Sequence, residues 1–201
     1  MTTIVSVTDR QSVVIGGDSA AVGGNELRLR ADPKVFRVRS FAIGFTSSFR
    51  MGQILRYCAQ LPDPPPEPTE DELELFMVTE FVSAVRHAFM EQGFAKTARS
   101  AAPGDPSVTE EGQERGGLFL VGVAGQIFEI RQDYQVARPA ALYYAVGHGA
   151  LIALGALHAL ESYQDLSLRE RALRALEASE AYCSAVRGPF HFVELPAGSV
   201  T

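Results

Sequence analysis

Apolar residues dominate two short runs at the start of the chain, 3–7 and 12–20, and the polar stretch from Thr8 to Gln11 between them makes the pair read as a hairpin. Two further strand-like runs follow, Lys34 to Val38 and Phe41 to Thr46. The period then changes. MGQILRYCAQL (51–61) carries apolar residues at helical spacing until Pro62, which lacks the N–H that a helix interior requires. A proline-rich connector leads to Thr69 as N-cap, acidic residues in a first turn, and an apolar stripe of Leu73, Phe76, Met77 and Phe81, which predicts one long second helix. From Lys96 to Gly116 the chain is polar, rich in Gly, Pro, Ser and Glu, and without period, which predicts a mobile surface excursion.

Strand patterning returns in GGLFLVGVAGQIFEIR (116–131), two runs around Ala124-Gly125, and in ALYYAVGHG (141–149), which ends at glycines. Two helical patterns follow, 150–163 and 166–186, the second with Ser167 and Glu170 spaced as a capping box, and FHFVEL (190–195) closes as a strand. Strands, two helices, strands, two helices and a strand suit an α+β, four-layer αββα sandwich with sheets inside and helices outside. Neither half reads as a parallel βαβ unit, and no GxGxxG or GxxxxGK[ST] occurs.

A length of 201 residues, 46% hydrophobic and 21% charged, fits a single domain spanning 1–201. The net charge of -6 argues against nucleic acid or an anionic membrane as partner. The first residues lack a basic segment followed by an apolar one, and the longest apolar stretch, Ala150 to Ala159, is too short to cross a bilayer, so a cytoplasmic protein is expected. Cys58 and Cys183 are far apart and form no CxxC, which reads as two buried free thiols. His87, His158 and His191 show no ligand spacing, and no calcium loop is present, so no metal is expected.

The candidate chemistry begins at Thr2. A hydroxyl is a weak nucleophile near neutral pH, and a free α-amine can serve as its base when the nucleophile is itself the first residue. An initiator methionine before a small residue is ordinarily trimmed, so Thr2 would gain that amine on loss of Met1. Asp18 follows Gly16-Gly17 and Lys34 stands isolated in DPKVFRV (32–38). Singly, Asp18 reads as a turn residue and Lys34 as a solvated charge.

Together, TTIVSV (2–7), IGGDSAAVGGN (15–25) and DPKVFRV resemble the proteasome β-type subunits, most nearly HslV, the peptidase of a bacterial ATP-dependent protease. The likeness continues through GFTSS (44–48), AVGHGA (145–150) and the last helix into FHFVEL, and runs from Thr2 to about Leu195. It implies a threonine endopeptidase that cleaves peptide bonds through an acyl-enzyme ester on Thr2, with Asp18 orienting and balancing Lys34 and the Ser47 amide, where the family has glycine, as oxyanion donor. Ala21-Val22 and Thr46 would pair with an extended substrate, and Ala21, Asp32, Phe36, Phe45 and Phe49 would line the pocket for the residue before the cut, the phenylalanines reading equally as core. His148 stands where the family has a serine, and reads equally as a helix-initiating turn residue. Glu180 is the candidate supporting carboxylate, with Ala181 at the ungapped position and Ser179 and Ser184 nearby. The resemblance further implies no cofactor, a homo-oligomeric double ring enclosing the threonines, unfolded protein or peptide substrates, and room for an ATPase unfoldase as partner. Two alternatives stand beside it: a catalytically weak or inactive ring-forming scaffold, and another amide hydrolase on the same fold.

Overall fold

The computed structural model describes residues 2–23, 26–94, 117–163 and 165–196; the excursion expected between Lys96 and Gly116 lies outside the described residues. The first strands are β1 (Thr3–Thr8), β2 (Ser12–Gly17), β3 (Ala20–Gly23), β4 (Glu26–Leu29), β5 (Val35–Val38) and β6 (Phe41–Phe45). Helices α1 (Phe49–Tyr57), α2 (Glu70–Phe76) and α3 (Val82–Glu91) follow, the last two joined by a π-helical turn over Met77–Phe81. Then come β7 (Phe119–Val123), β8 (Gln126–Ile130), β9 (Val136–Ala137), β10 (Tyr143–Gly147), α4 (Ala150–Leu160), α5 (Leu168–Tyr182) and β11 (His191–Pro196).

One sheet has the order β10-β1-β2-β11, another β5-β6-β7-β8-β9, and β3 pairs with β4 as a separate ribbon. Every pairing is antiparallel. Strand alternation sorts the side chains. Ile4, Val13 and Ile15 of the first sheet meet Val35, Ala42, Leu120 and Ile127 of the second in one buried cluster. Val5, Val7 and Val14, on the opposite face, pack against Ala153 and Leu157 of α4 and Ala172, Ala175 and Leu176 of α5. Phe41, Ile43, Phe45, Phe119 and Val121 turn outward from the second sheet onto Met51, Ile54 and Leu55 of α1 and onto α2 and α3. Gly44 marks the closest approach of the two sheets: a Cβ there would stand 2.5 Å from Ile4 Cγ2 and 2.8 Å from Ile15 Cγ2.

The structure corrects the sequence reading at several elements. The second run does not continue to residue 20; β2 stops at Gly17, and the Asp18-Ser19 link redirects the chain into β3. β4 is exposed along its whole length and β9 is two residues long, so neither carries a buried alternating stripe. Lys34 precedes β5 rather than beginning it. The first helix ends at Tyr57, well before Pro62, and Cys58 is exposed rather than buried; Cys183 is buried as expected. The long second helix is broken at the π turn, where the Thr79 hydroxyl donates back to the Leu75 carbonyl at 2.7 Å. The 166–186 pattern is helical only to Tyr182, after which Cys183 is extended. Both capping boxes form, Thr69 with Glu72 and Ser167 with Glu170. Among the described residues, no helix is long and apolar enough to cross a membrane.

Candidate active site

The head of β1 is held from three sides. Asp18 accepts from the Thr3 amide at 3.0 Å and from the Ala20 amide at 3.0 Å, so its two carboxylate oxygens bind the link between β2 and β3 to the start of β1. The Thr2 carbonyl accepts from the His148 amide at 2.6 Å. The Thr3 hydroxyl accepts from the Gly149 amide at 3.0 Å, and the Ser179 hydroxyl of α5 donates to the Gly149 carbonyl at 3.1 Å. Gly147 takes φ 103 to make this turn, and a Cβ there would lie 2.1 Å from the Thr2 carbonyl oxygen, so only glycine fits.

Beside this anchor lies a buried ion pair. Lys34 Nζ donates to Asp18 Oδ1 at 2.8 Å and to the Ala20 carbonyl at 2.5 Å, with the side chains 1% and 0% exposed. The solvated surface charge considered for Lys34 is thereby corrected: its stem is enclosed between β5 and the β2–β3 link. Burial pulls the Lys34 pKa below the ordinary lysine range, and the charge and hydrogen bond of Asp18 pull it partly back. The turn reading of Asp18 is likewise too weak, since its carboxylate joins three segments.

Thr2 opens onto a cleft of about 400 Å³ whose walls include Ala21, Val22, Phe45, Thr46, Ser47 and Phe49. Thr46 is fixed by both its amide and its hydroxyl to the Leu118 carbonyl, at 3.0 and 2.9 Å. Ser47 follows in the left-handed region, φ 64, with its hydroxyl on the Thr46 carbonyl at 2.7 Å. Ser48 then caps α1 by accepting from the Met51 amide.

Asp32 and Phe36 fall elsewhere than the single pocket expected of them. They line a smaller cavity of about 100 Å³ that shares Phe45 and Phe49 with the cleft. His148 reaches Thr2 through its main chain, and its imidazole is exposed. The Glu180 carboxylate accepts from the Gly188 amide at 2.9 Å. Sequence reasoning missed Thr3, although the tandem Thr2-Thr3 was its visible signal. It also missed Glu26 and Arg28 of β4, whose spacing of two on a strand puts them on one face, and Arg30 just after it, all three lining the cleft. Ser179 was noticed only as a neighbour of Glu180; the structure makes it the contact from α5 to the Gly149 turn. Among the described residues, no group of His, Cys, Asp or Glu could hold a metal ion.

No family model and no curated protein matches this sequence. Solved structures do match its shape. BPH from Thiobacillus denitrificans, in complex with epoxomicin, superposes with a TM-score of 0.73 at 19% identity, covering 97% of this chain and 98% of its own. HslV from Trypanosoma brucei does so with a TM-score of 0.65 at 19% identity, covering 96% and 99%. An Anbu (Gly-1) mutant from Hyphomicrobium sp. strain MC1 gives 0.64 at 15% identity, covering 100% and 84%. This is the HslV-like, proteasome-type fold. Within the HslV-like fold the cleft opens at the head of β1, beside the ribbon of β3 and β4 and the loop into α1.

Proposed function

We propose that this chain is a threonine-type endopeptidase subunit, built on the four-layer αββα sandwich of N-terminal-nucleophile hydrolases, with Thr2 as nucleophile once Met1 has been removed. The observation that carries this reading is the buried Lys34–Asp18 pair, joined to the Thr3 amide while Thr2 lines an open cleft. A lysine whose pKa is depressed gives up its proton more readily, and so can share the work of the freed α-amine as base. Thr2 Oγ1 attacks the scissile carbonyl carbon and passes its proton to that amine and lysine network. A C–O bond forms, and the Ser47 amide receives the oxyanion. Collapse breaks the C–N bond, the leaving amine takes the proton, and water then hydrolyses the ester to free the acid and restore Thr2. No cofactor enters this scheme.

His148 contributes through its main-chain hold on Thr2, and Glu180 by fixing the turn at Gly188. An extended substrate pairs along Thr46 and Ala21-Val22, which favours backbone recognition over sequence. The chain acts in the cytoplasm as a homo-oligomeric double ring that admits unfolded chains, with an ATPase unfoldase as the partner class that would supply them. A catalytically weak scaffold subunit is the second reading, favoured by the exposed imidazole of His148 and by the engagement of Glu180 with Gly188.

Mass spectrometry of the purified protein and hydrolysis of fluorogenic peptides test the first reading. Processed protein should cleave them and Thr2→Ala should not. Equal turnover by both, or full activity with Met1 retained, would exclude Thr2 as nucleophile, and hydrolysis of small acyl-amides alone would move the assignment to another amide hydrolase.

A further inference from the structure

The walls of the Thr2 cleft carry more charge than backbone pairing alone requires. Glu26, Arg28 and Arg30 face it from β4 and the residue after it. Arg28 is matched by Glu26 at 2.5 Å within the cleft wall. Arg30 is different. Its partner Asp32 lines the smaller cavity that shares Phe45 and Phe49 with the cleft, so the ion pair joins a wall residue of one space to a wall residue of the other. Nε and Nη2 bind the two oxygens of Asp32 at 2.7 and 2.6 Å, and the guanidinium carbon lies 3.9 Å from the centroid of the Phe49 ring. Bidentate pairing and stacking on an aromatic face hold the planar group in one orientation, which a lysine could not reproduce. Nη1 has no partner among the described residues.

We propose that Arg30 sets the charge preference of this cleft, cancelling Asp32 and selecting peptides with an acidic side chain next to the bond to be cut. This deepens the peptidase reading and rests on it for the meaning of the cut. The sequence alone, with Asp32 as the only charge assigned to the pocket, pointed to apolar or basic side chains. The structure reverses the sign. The Asp32 carboxylate is occupied, and the donor left over belongs to a cation that a substrate carboxylate can reach. The hydrogen bond from Arg30 holds the Asp32 carboxyl below the usual carboxylate range and raises the guanidinium further, so the pair favours its ionised form.

Binding and cleavage must be read separately. Labelled, N-acetylated pentapeptides differing only in a final Glu, Leu or Lys are titrated by fluorescence anisotropy into Thr2→Ala protein, and the same sequences bearing a fluorogenic amine are given to wild type. The Glu peptide should bind about fivefold more tightly than the Lys peptide at low ionic strength, the size expected of a half-exposed charge pair, and the gap should close as salt is added. Arg30→Met should reverse the order by baring Asp32; Asp32→Asn should widen it by freeing the guanidinium. Both side chains are exposed, and Asp32→Asn suffices alone if Arg30→Met proves unstable. Equal binding, a Lys preference in wild type, or an order that ignores both substitutions overturns the proposal. An acidic preference in binding without any cleavage would sustain it while removing the peptidase reading. Cleavage without charge order would do the opposite.

Discussion

Ser47 occupies a conformation that a Cβ disfavours by about 1–2 kcal/mol, and its own amide is the one assigned to the oxyanion. Ser47→Gly should therefore keep activity and raise stability by up to about 1 kcal/mol, the relief of strain being partly offset by the greater freedom of glycine in the unfolded chain. Chemical denaturation and peptide hydrolysis check both halves. Asp18→Asn should be far more damaging, costing about 3–5 kcal/mol because Lys34 is left as an unmatched buried charge, and abolishing turnover. The direction of the Lys34 shift sets a pH dependence. Between its lowered folded pKa and the ordinary lysine range the unfolded chain binds the extra proton, so stability rises with pH across that window. Under the same proposal kcat/KM also rises as the lysine becomes neutral, and Lys34→Met should lose the stability slope and lower turnover. The gathering of Asp18 and Lys34 at the start of β1, beside Thr2, was legible from residue type and order. The separate cavity of Asp32 was not, because a side chain's choice of space depends on where Phe45 and Phe49 place their rings.

At the scale of elements, α1 lies against β6 through Gly52, where an added Cβ would stand 2.2 Å from the Phe45 ring. Gly52→Ala should push that ring, lower stability by about 1–3 kcal/mol, and change the relative cleavage of apolar and charged peptides, since Phe45 divides the cleft from its neighbour. Thermal melts paired with a substrate panel measure it. Buried strands and capped helices were readable from period and cap chemistry alone: Thr69 and Ser167 announce α2 and α5. The ribbon of β3 and β4 was not, because β4 buries nothing and so imprints no apolar stripe. The π turn escaped for a related reason. Its extra residue leaves Met77 and Phe81 on the buried face, so the hydrophobic pattern passes through unbroken.

For the whole molecule, the proposed chambered assembly predicts a large homo-oligomer by light scattering, and a monomer at micromolar concentration would contradict it. The proposed removal of Met1 meets a constraint at the head of β1. The Thr2 carbonyl and the Thr3 amide are the two ends of one peptide unit, and each is fixed by a group from elsewhere, His148 and Asp18. The pins act downstream of the bond that a methionine aminopeptidase would cut, so the scaffold does not wait for processing. Under the peptidase proposal, the unprocessed form is latent because Thr2 lacks its free amine. Under that proposal the two forms should melt within about 1 kcal/mol of each other, since both pins lie in the Thr2–Thr3 peptide unit that processing leaves intact, while differing by the whole of their activity.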